Sequence, residues 1–346
     1  MALNDKLKGL LGVQTNVPKI DWCSYKGIII APPKFGKTTL GSLIPNSILL
    51  AFEQGYDSLQ LDKKDIHDWS EFTEFVDALE ENIEDIGDAI RLVVFDTAHR
   101  AFDMCGQHML KVCNREKGKR YARLQNVPYA EGLERRDEEF RKQLLRLDAL
   151  GIKWIMLGHT TTKTINKEGQ DPYQVVDHDF EKRLADIIVK DASYMLIGEN
   201  YIENDEDGNV ISKRKFIAKN DGLNQAGGRV FIGEDILFDT EEEFVEKFKN
   251  IFTDIVLKKN NIDVSTKEQK LEEEHKDVLD NISKVAKEIK TRDELEKEIK
   301  DLVSNLASNK KAQVMNYLMD SYGSKSLKER TIEELQGILQ KCSEMK

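Results

Sequence analysis

The chain has 346 residues, 40% hydrophobic and 33% charged, with 52 Lys and Arg against 63 Asp and Glu for a formal net charge of −11. That apolar share is too high for a disordered chain, and at roughly 100–200 residues per domain the length suits two units, or one large domain with an appendage. The acidic balance argues against a protein that is basic overall but not against a local basic strip, because a phosphate backbone feels the distribution of charge and not its sum.

The first 16 residues hold only short apolar pieces and no apolar region followed by a small-residue cleavage site, so no signal peptide is read. No apolar run approaches the roughly 18–20 residues of a membrane span. Cys23, Cys105, Cys113 and Cys342 are scattered, with neither the C-x-x-C spacing of a zinc knuckle nor a disulfide framework. Reduced thiols, a cytoplasmic location and no membrane partner are expected.

In chain order, strands are predicted at 27–31, 47–52, 92–96, 152–158 and 192–198, followed by a pair flanking the turn Asp207-Gly208-Asn209. Between them Ser70 opens a helix carrying Glu71, Phe72, Phe75, Val76 and Leu79, and residues 131–150 form a highly charged helix ending before Gly151. Strands interleaved with helices predict an α/β unit with a mostly parallel sheet. After about residue 254 glycine almost vanishes. Residues 255–346 hold 18 basic and 18 acidic side chains, so the net negative charge resides entirely upstream. Val278, Ile282, Val285 and Ile289, then Leu295, Ile299, Leu302 and Leu306, recur as one face of a helix requires. Two helices split at Thr291, whose side chain caps the second with Glu294, and a third at 327–339 complete the tail. The expected organisation is an N-terminal segment 1–24, an α/β core 25–253 and a helical extension 254–346.

The motif that carries chemistry is Ala31-Pro32-Pro33-Lys34-Phe35-Gly36-Lys37-Thr38-Thr39, after one predicted strand and before a helix. In a G-x-x-x-x-G-K-[ST] loop, backbone N–H groups cradle phosphates, the lysine reaches the β/γ oxygens and the hydroxyl binds Mg²⁺. Lys37 and Thr38 hold those positions. Ala31 stands where the first glycine belongs, which removes freedom for positive φ at that corner. The strand Arg91-Leu-Val-Val-Phe-Asp96-Thr97 ends in a carboxylate suited to the metal. The run Ile48-Leu-Leu-Ala-Phe-Glu53-Gln-Gly-Tyr-Asp57 ends a neighbouring strand in a carboxylate able to orient or deprotonate water.

This order of pieces resembles the RecA-like P-loop NTPase core, and most closely the phage-encoded RecA-like ATPases of the AAA family, some of which are single-strand annealing recombinases. The resemblance spans about residues 25–231. It implies ATP and Mg²⁺ as cofactors, hydrolysis, a homo-oligomeric ring or filament, and action on single-stranded DNA in phage recombination or replication. It also implies Glu53 as catalytic base and His159, at the end of Trp154-Ile-Met-Leu-Gly-His159-Thr160, as γ-phosphate sensor. Lys219, in Arg214-Lys-Phe-Ile-Ala-Lys219-Asn220, resembles a lysine that reaches a neighbouring subunit's ATP, although the family's second lysine is here Asp221.

Two segments are candidates for DNA. Lys111, Arg115, Lys117, Lys119, Arg120 and Arg123 form a basic strip opposed only by Glu116, with Tyr121 available for stacking. Residues 160–179, where RecA-like proteins carry a DNA-facing loop, contain Lys163, Lys167 and Tyr173. The trio Asp177-His178-Asp179 lacks partners at metal-ligand spacing and reads as a loop. The helical extension suits a solvated bundle, a DNA-contacting module or a dock for a single-strand-binding protein or another recombination partner. Competing activities are a nucleotide-gated DNA scaffold with little turnover, a helicase-like motor or loader, and a small-molecule kinase.

Overall fold

Alternation along the strand β1 (Gly27–Ala31) sets the layers: Ile28 and Ile30 enter one hydrophobic core, Ile29 and Ala31 another, and all four are fully buried. A strand apolar on both faces belongs in the middle of a parallel sheet covered by helices on both sides. The computed structural model describes residues 8, 10–13, 16–53, 61–166, 171–204, 208–230, 233–289, 292–322, 326–327, 330 and 332–344. The turn residue Asp207, the candidate Lys167, the cap Thr291, and Gln54 to Asp57 lie outside them.

After β1 come α1 (Lys37–Ser42), β2 (Ser47–Ala51), β3 (Lys63–Asp65), α2 (Trp69–Glu81), α3 (Ile83–Ile86), β4 (Leu92–Asp96), α4 (Ala98–Lys117), α5 (Glu131–Ala149), β5 (Lys153–Ile165), β6 (Tyr173–His178) and α6 (Lys182–Asp191). Then follow β7 (Tyr194–Asn204), β8 (Val210–Ile217), β9 (Gly227–Gly228), β10 (Ile236–Phe238), α7 (Glu241–Lys259), α8 (Lys267–Glu288), α9 (Arg292–Ser304), α10 (Ser308–Tyr322) and α11 (Ile332–Glu344). The sheet order is β10-β8-β7-β1-β5-β4-β2-β3, with β6 on β5 and β9 on β7. The six strands from β7 to β3 are parallel, whereas β6, β8, β9 and β10 pair antiparallel. The chain leaves β1 toward the β5 side and returns to it through β7, so the C-terminal end of β1 is a switch point, where open α/β sheets bind ligands.

The strands at 153 and 194 run on to 165 and 204, beyond the ends read from sequence. Their outer halves leave the buried sheet, become half-buried or exposed, and are held by antiparallel pairing with β6 and β8. The apolar run that signals a buried strand therefore stops before the strand does. Helix α2 is capped by Asp68, whose carboxylate accepts from the amides of Ser70 and Glu71, so the opening expected at Ser70 moves to Trp69.

The helical region is also partitioned differently. The boundary expected at 253/254 falls inside α7, whose Phe244, Phe248, Phe252, Val256 and Leu257 are buried in the core around Trp22 and Tyr194. Helix α8 belongs to the core as well: Ile282 is buried in it, Val278 and Val285 pack on it, and Glu274 accepts from Ile20 N (2.7 Å), Asp21 N (3.1 Å) and Ser24 Oγ (2.6 Å). The N-terminal segment is thus tied in from residue 20. A separate small core, formed by Leu295, Ile299, Leu306, Val314, Leu318, Leu335, Ile338 and Cys342, holds α9 to α11 together. Helix α11 stands where one was expected at 327–339, whereas α10, between it and α9, had no counterpart among the expected helices.

Candidate nucleotide site

The phosphate loop turns where the backbone is left-handed, at Lys34 (φ 64°) and Gly36 (φ 99°). Ala31 is an ordinary last residue of β1, paired with His159, so the corner that needs positive φ is not the one where the glycine is missing. Pro32, Pro33 and Lys34 carry the turn, and Phe35 anchors it, being 3% exposed with its ring against Phe216 and Phe238 at centroid distances of 5.2 and 6.0 Å. Gly198 permits this contact, since a Cβ there would lie 2.7 Å from the Phe35 ring.

Helix α1 follows at Lys37 but has only six residues, so the loop amides and Lys37, more than a long helix dipole, define the electrostatics. Lys37 is 7% exposed and donates to the carbonyls of Ala31 and Pro32, both at 2.9 Å, with His159 Nδ1 at 3.2 Å. Burial pushes its pKa down from the ordinary lysine value, against the upward pull of Asp96, Asp179 and Glu53. A desolvated ammonium held by two carbonyls beside an imidazole is suited to an anionic ligand. Thr38 donates its hydroxyl to Asp96 Oδ2 at 2.7 Å, with Asp96 4% exposed at the end of β4. A hydroxyl and a carboxylate side by side are a donor pair that would suit Mg²⁺ beside a nucleotide's phosphates. Among the described residues no cluster of three or more His, Cys, Asp or Glu side chains offers a self-sufficient metal site. Thr39 continues the helix and accepts from Ser42 Oγ through its carbonyl.

Glu53 lies two residues past Ala51, which pairs with Asp96. Its Oε1 accepts from Thr97 Oγ1 at 2.9 Å, with Arg100 Nε at 3.6 Å. Lys37, Thr38, Asp96, Glu53 and His159 thus meet at the C-terminal edge of four neighbouring parallel strands. Thr97, Arg100 and Asp179 join them, none read from sequence as functional. Asp179 is brought in by the β5–β6 hairpin, its amide donating to the His159 carbonyl at 3.2 Å.

Lys219 does not join this group within the chain. Strand β8 runs antiparallel, with Ile217 opposite Ile197, so by Lys219 the backbone has moved away from the phosphate-loop edge. The basic residue of that stretch that reaches the loop is Arg214, which donates to the Phe35 carbonyl at 3.1 Å.

The basic strip sits at the tip of a helical hairpin. Phe102 packs on Phe140 (5.1 Å) and Lys117 pairs with Glu131 (2.7 Å), so α4 and α5 are antiparallel. Because α5 ends just before β5 begins, and its 19 residues span about 28 Å against about 17 Å for a five-residue strand, the tip rises past the phosphate-loop edge. Lys111, Arg115, Lys119, Arg120 and Arg123 are exposed and have no carboxylate within ion-pair distance among the described residues, whereas Lys117 is held by Glu131. Asn114 fastens the turn through the Tyr121 amide and carbonyl. Lys163 is neutralised by Asp177 at 2.6 Å across the β5–β6 hairpin, which weakens it as a phosphate contact.

These features define a P-loop ATPase on a RecA-like sheet. The chain belongs to the AAA_24 family, whose AAA domain matches residues 24–230. Among solved structures it is similar to the flagellar accessory protein FlaH from Methanocaldococcus jannaschii, with 12% identity and a TM-score of 0.31 over 68% of this chain and 90% of that one. It is also similar to the Legionella pneumophila ATPase DotB, with 10% identity and a TM-score of 0.24 over 77% of this chain and 63% of that one. Both overall similarities are low, and the assignment rests on the family match and the loop. No curated protein matches the chain. Among the described residues no helix is long and apolar enough to cross a membrane.

Proposed function

We propose that the protein hydrolyses ATP in a reaction tied to single-stranded DNA, as annealing or strand-exchange support in phage recombination or replication. The observation that carries the hydrolysis is the Thr38–Asp96 hydrogen bond beside the buried, carbonyl-held Lys37. Lys37 and the loop amides would hold the β- and γ-phosphates, Glu53 would take a proton from the attacking water, and His159 would donate to a γ-oxygen. Thr38 and Asp96 would hold Mg²⁺, which would supply neutralisation of the charge on the phosphoryl oxygens.

Support for DNA is the cluster of exposed cations that have no ion-pair partner among the described residues, with Tyr121 among them, at the hairpin tip on the nucleotide edge of the sheet. Exposed cations without carboxylate partners track a phosphate backbone, and an aromatic beside them offers a face for a base. The exposed Lys219 suits a contact with a neighbouring copy in a ring or filament, and the bundle of α9 to α11 suits a single-strand-binding protein or another recombination partner in the host cytoplasm.

The deciding experiment is ATP hydrolysis by the purified chain with and without single-stranded DNA, with Lys37→Ala as control. Stimulation by DNA that weakens steeply with salt and is lost in the mutant is the expected result. Mutant-sensitive hydrolysis indifferent to DNA would redirect the site to another polymer or a small-molecule acceptor. Nucleotide binding without turnover would make the protein a nucleotide-gated scaffold.

A further inference from the structure

The outer face of the phosphate loop is held by a charge pair that the reaction scheme above does not use. Arg214 reaches from β8 and spreads its guanidinium over three acceptors: the Phe35 carbonyl (3.1 Å), the Asp239 carbonyl (2.6 Å) and the Glu241 carboxylate. It lies over the Phe238 ring at 5.0 Å, and the side chains of Arg214 and Glu241 are 25% and 17% exposed. Glu241 is the first residue of α7, where the helix dipole favours a carboxylate. The pair packs directly on Gly36: a Cβ there would lie 2.1 Å from Glu241 Oε1 and 3.1 Å from Arg214 Nη1.

A carboxylate in contact with a loop that must accept several phosphate charges repels them unless it is compensated. At such range, with partial burial, the repulsion is not screened as it is between exposed surface charges. Arg214 supplies the compensation. Its planar fork also bonds the loop carbonyl that precedes Gly36, so the same group that cancels the charge fixes the backbone whose amides face the nucleotide.

From this geometry we infer that Arg214 is a positioning residue of the phosphate loop that also masks Glu241, so that losing the arginine both loosens the loop and exposes a negative charge beside the nucleotide. The inference rests on the nucleotide-site reading but not on hydrolysis or on DNA. It makes the β7–β8 hairpin a lever: whatever displaces β8 shifts Arg214, and the loop with it.

The test is titration of the full-length chain with fluorescent ADP and ATP analogues in Mg²⁺, comparing wild type, Arg214→Ala and the double variant Arg214→Ala/Glu241→Gln, with folding followed by circular dichroism. Arg214→Ala is expected to weaken ADP and ATP alike by about tenfold or more, the scale of one charge-assisted hydrogen bond. The double variant is expected to regain part of that loss, because the unmasked charge has gone while the Phe35 carbonyl still lacks its donor. A merely structural arginine would show no rescue by Glu241→Gln. Binding by Arg214→Ala within about twofold of wild type overturns the inference, as does a loss confined to ATP, which would mean a γ-phosphate contact, or a double variant no better than the single. Where Arg214→Ala does not fold, Arg214→Gln, which keeps a neutral donor, takes its place with the same expectations. A wild-type chain that binds neither nucleotide overturns both this inference and the nucleotide site, whereas binding without hydrolysis counts against the proposed function alone.

Discussion

Lys37 and Glu53 do different work, and their environments separate the two roles. Lys37 has been taken out of water without an anion in contact, so burial lowers its pKa from 10.5 in the free protein. A bound triphosphate favours the charged form and raises it. Between those two values the protein takes up a proton as the nucleotide binds, and affinity declines as pH rises through the free-state value, earlier than an ordinary lysine would cause. Calorimetry in buffers of different ionisation enthalpy should show that uptake on the alkaline side and its absence in Lys37→Met, whose nucleotide affinity should fall roughly tenfold to a hundredfold. Glu53 is instead held by the Thr97 hydroxyl, and a glutamine keeps an oxygen for that bond. Glu53→Gln should therefore bind ATP nearly as wild type does while hydrolysis falls by about 10²–10⁴-fold, the range of general base catalysis. Equal activity in the two proteins would move the base elsewhere, with Asp179 the next carboxylate to examine.

Elements were legible where a buried periodicity is written locally. The apolar spacing of α2 marks the helix but not its cap, which is Asp68 and not the Ser70 from which the sequence opens it; hydrogen bonds from the Ser70 side chain and from the Glu71 and Ser70 amides hold the Asp68 carboxyl below its ordinary value of 3.8. The sign follows: a depressed carboxyl contributes stability that is present above its unfolded value and lost as pH falls through the folded one. Asp68→Ala should cost about 1 kcal/mol in denaturant unfolding at neutral pH, and the difference from wild type should vanish in strong acid. The phosphate loop and the Asp96 strand could be found from sequence because each is a contiguous run whose flanks declare a strand and a turn. Arg214 and Glu241 could not, because their meeting with Gly36 depends on the register of β8 and the docking of α7, neither of which leaves a local signature. Asp179 leaves no local signature either. Read in line it is one residue of a polar loop, and only the β5–β6 pairing turns it back to His159. Lys219, expected to reach a neighbouring copy's nucleotide, is carried by its strand direction away from the loop of its own chain.

At the scale of the whole molecule the question is where the ATPase unit ends. A compositional change near residue 254 suggested an extension, because amphipathic charged helices read alike whether their apolar stripe meets a sheet or another helix. The packing separates them: Val256 and Leu257 of α7 and Ile282 of α8 fill the two cores of the sheet, and Glu274 binds Ile20, Asp21 and Ser24, whereas Leu295, Ile299, Leu335 and Ile338 form a core of their own. Each buried aliphatic side chain is worth roughly 1.5–3 kcal/mol, and a domain has only about 5–15 kcal/mol to lose. Truncation after residue 253 removes Val256, Leu257, Ile282 and the acceptor for three N-terminal donors, and should leave a chain that aggregates or melts well below the parent. Truncation after residue 289 removes the helices whose buried side chains share the separate core, and should give a soluble protein with a cooperative melt and wild-type nucleotide affinity. Thermal unfolding and nucleotide titration of the two truncations decide the matter: an unfolded 1–289 would make the bundle part of the ATPase core, and a folded 1–253 would restore the earlier boundary.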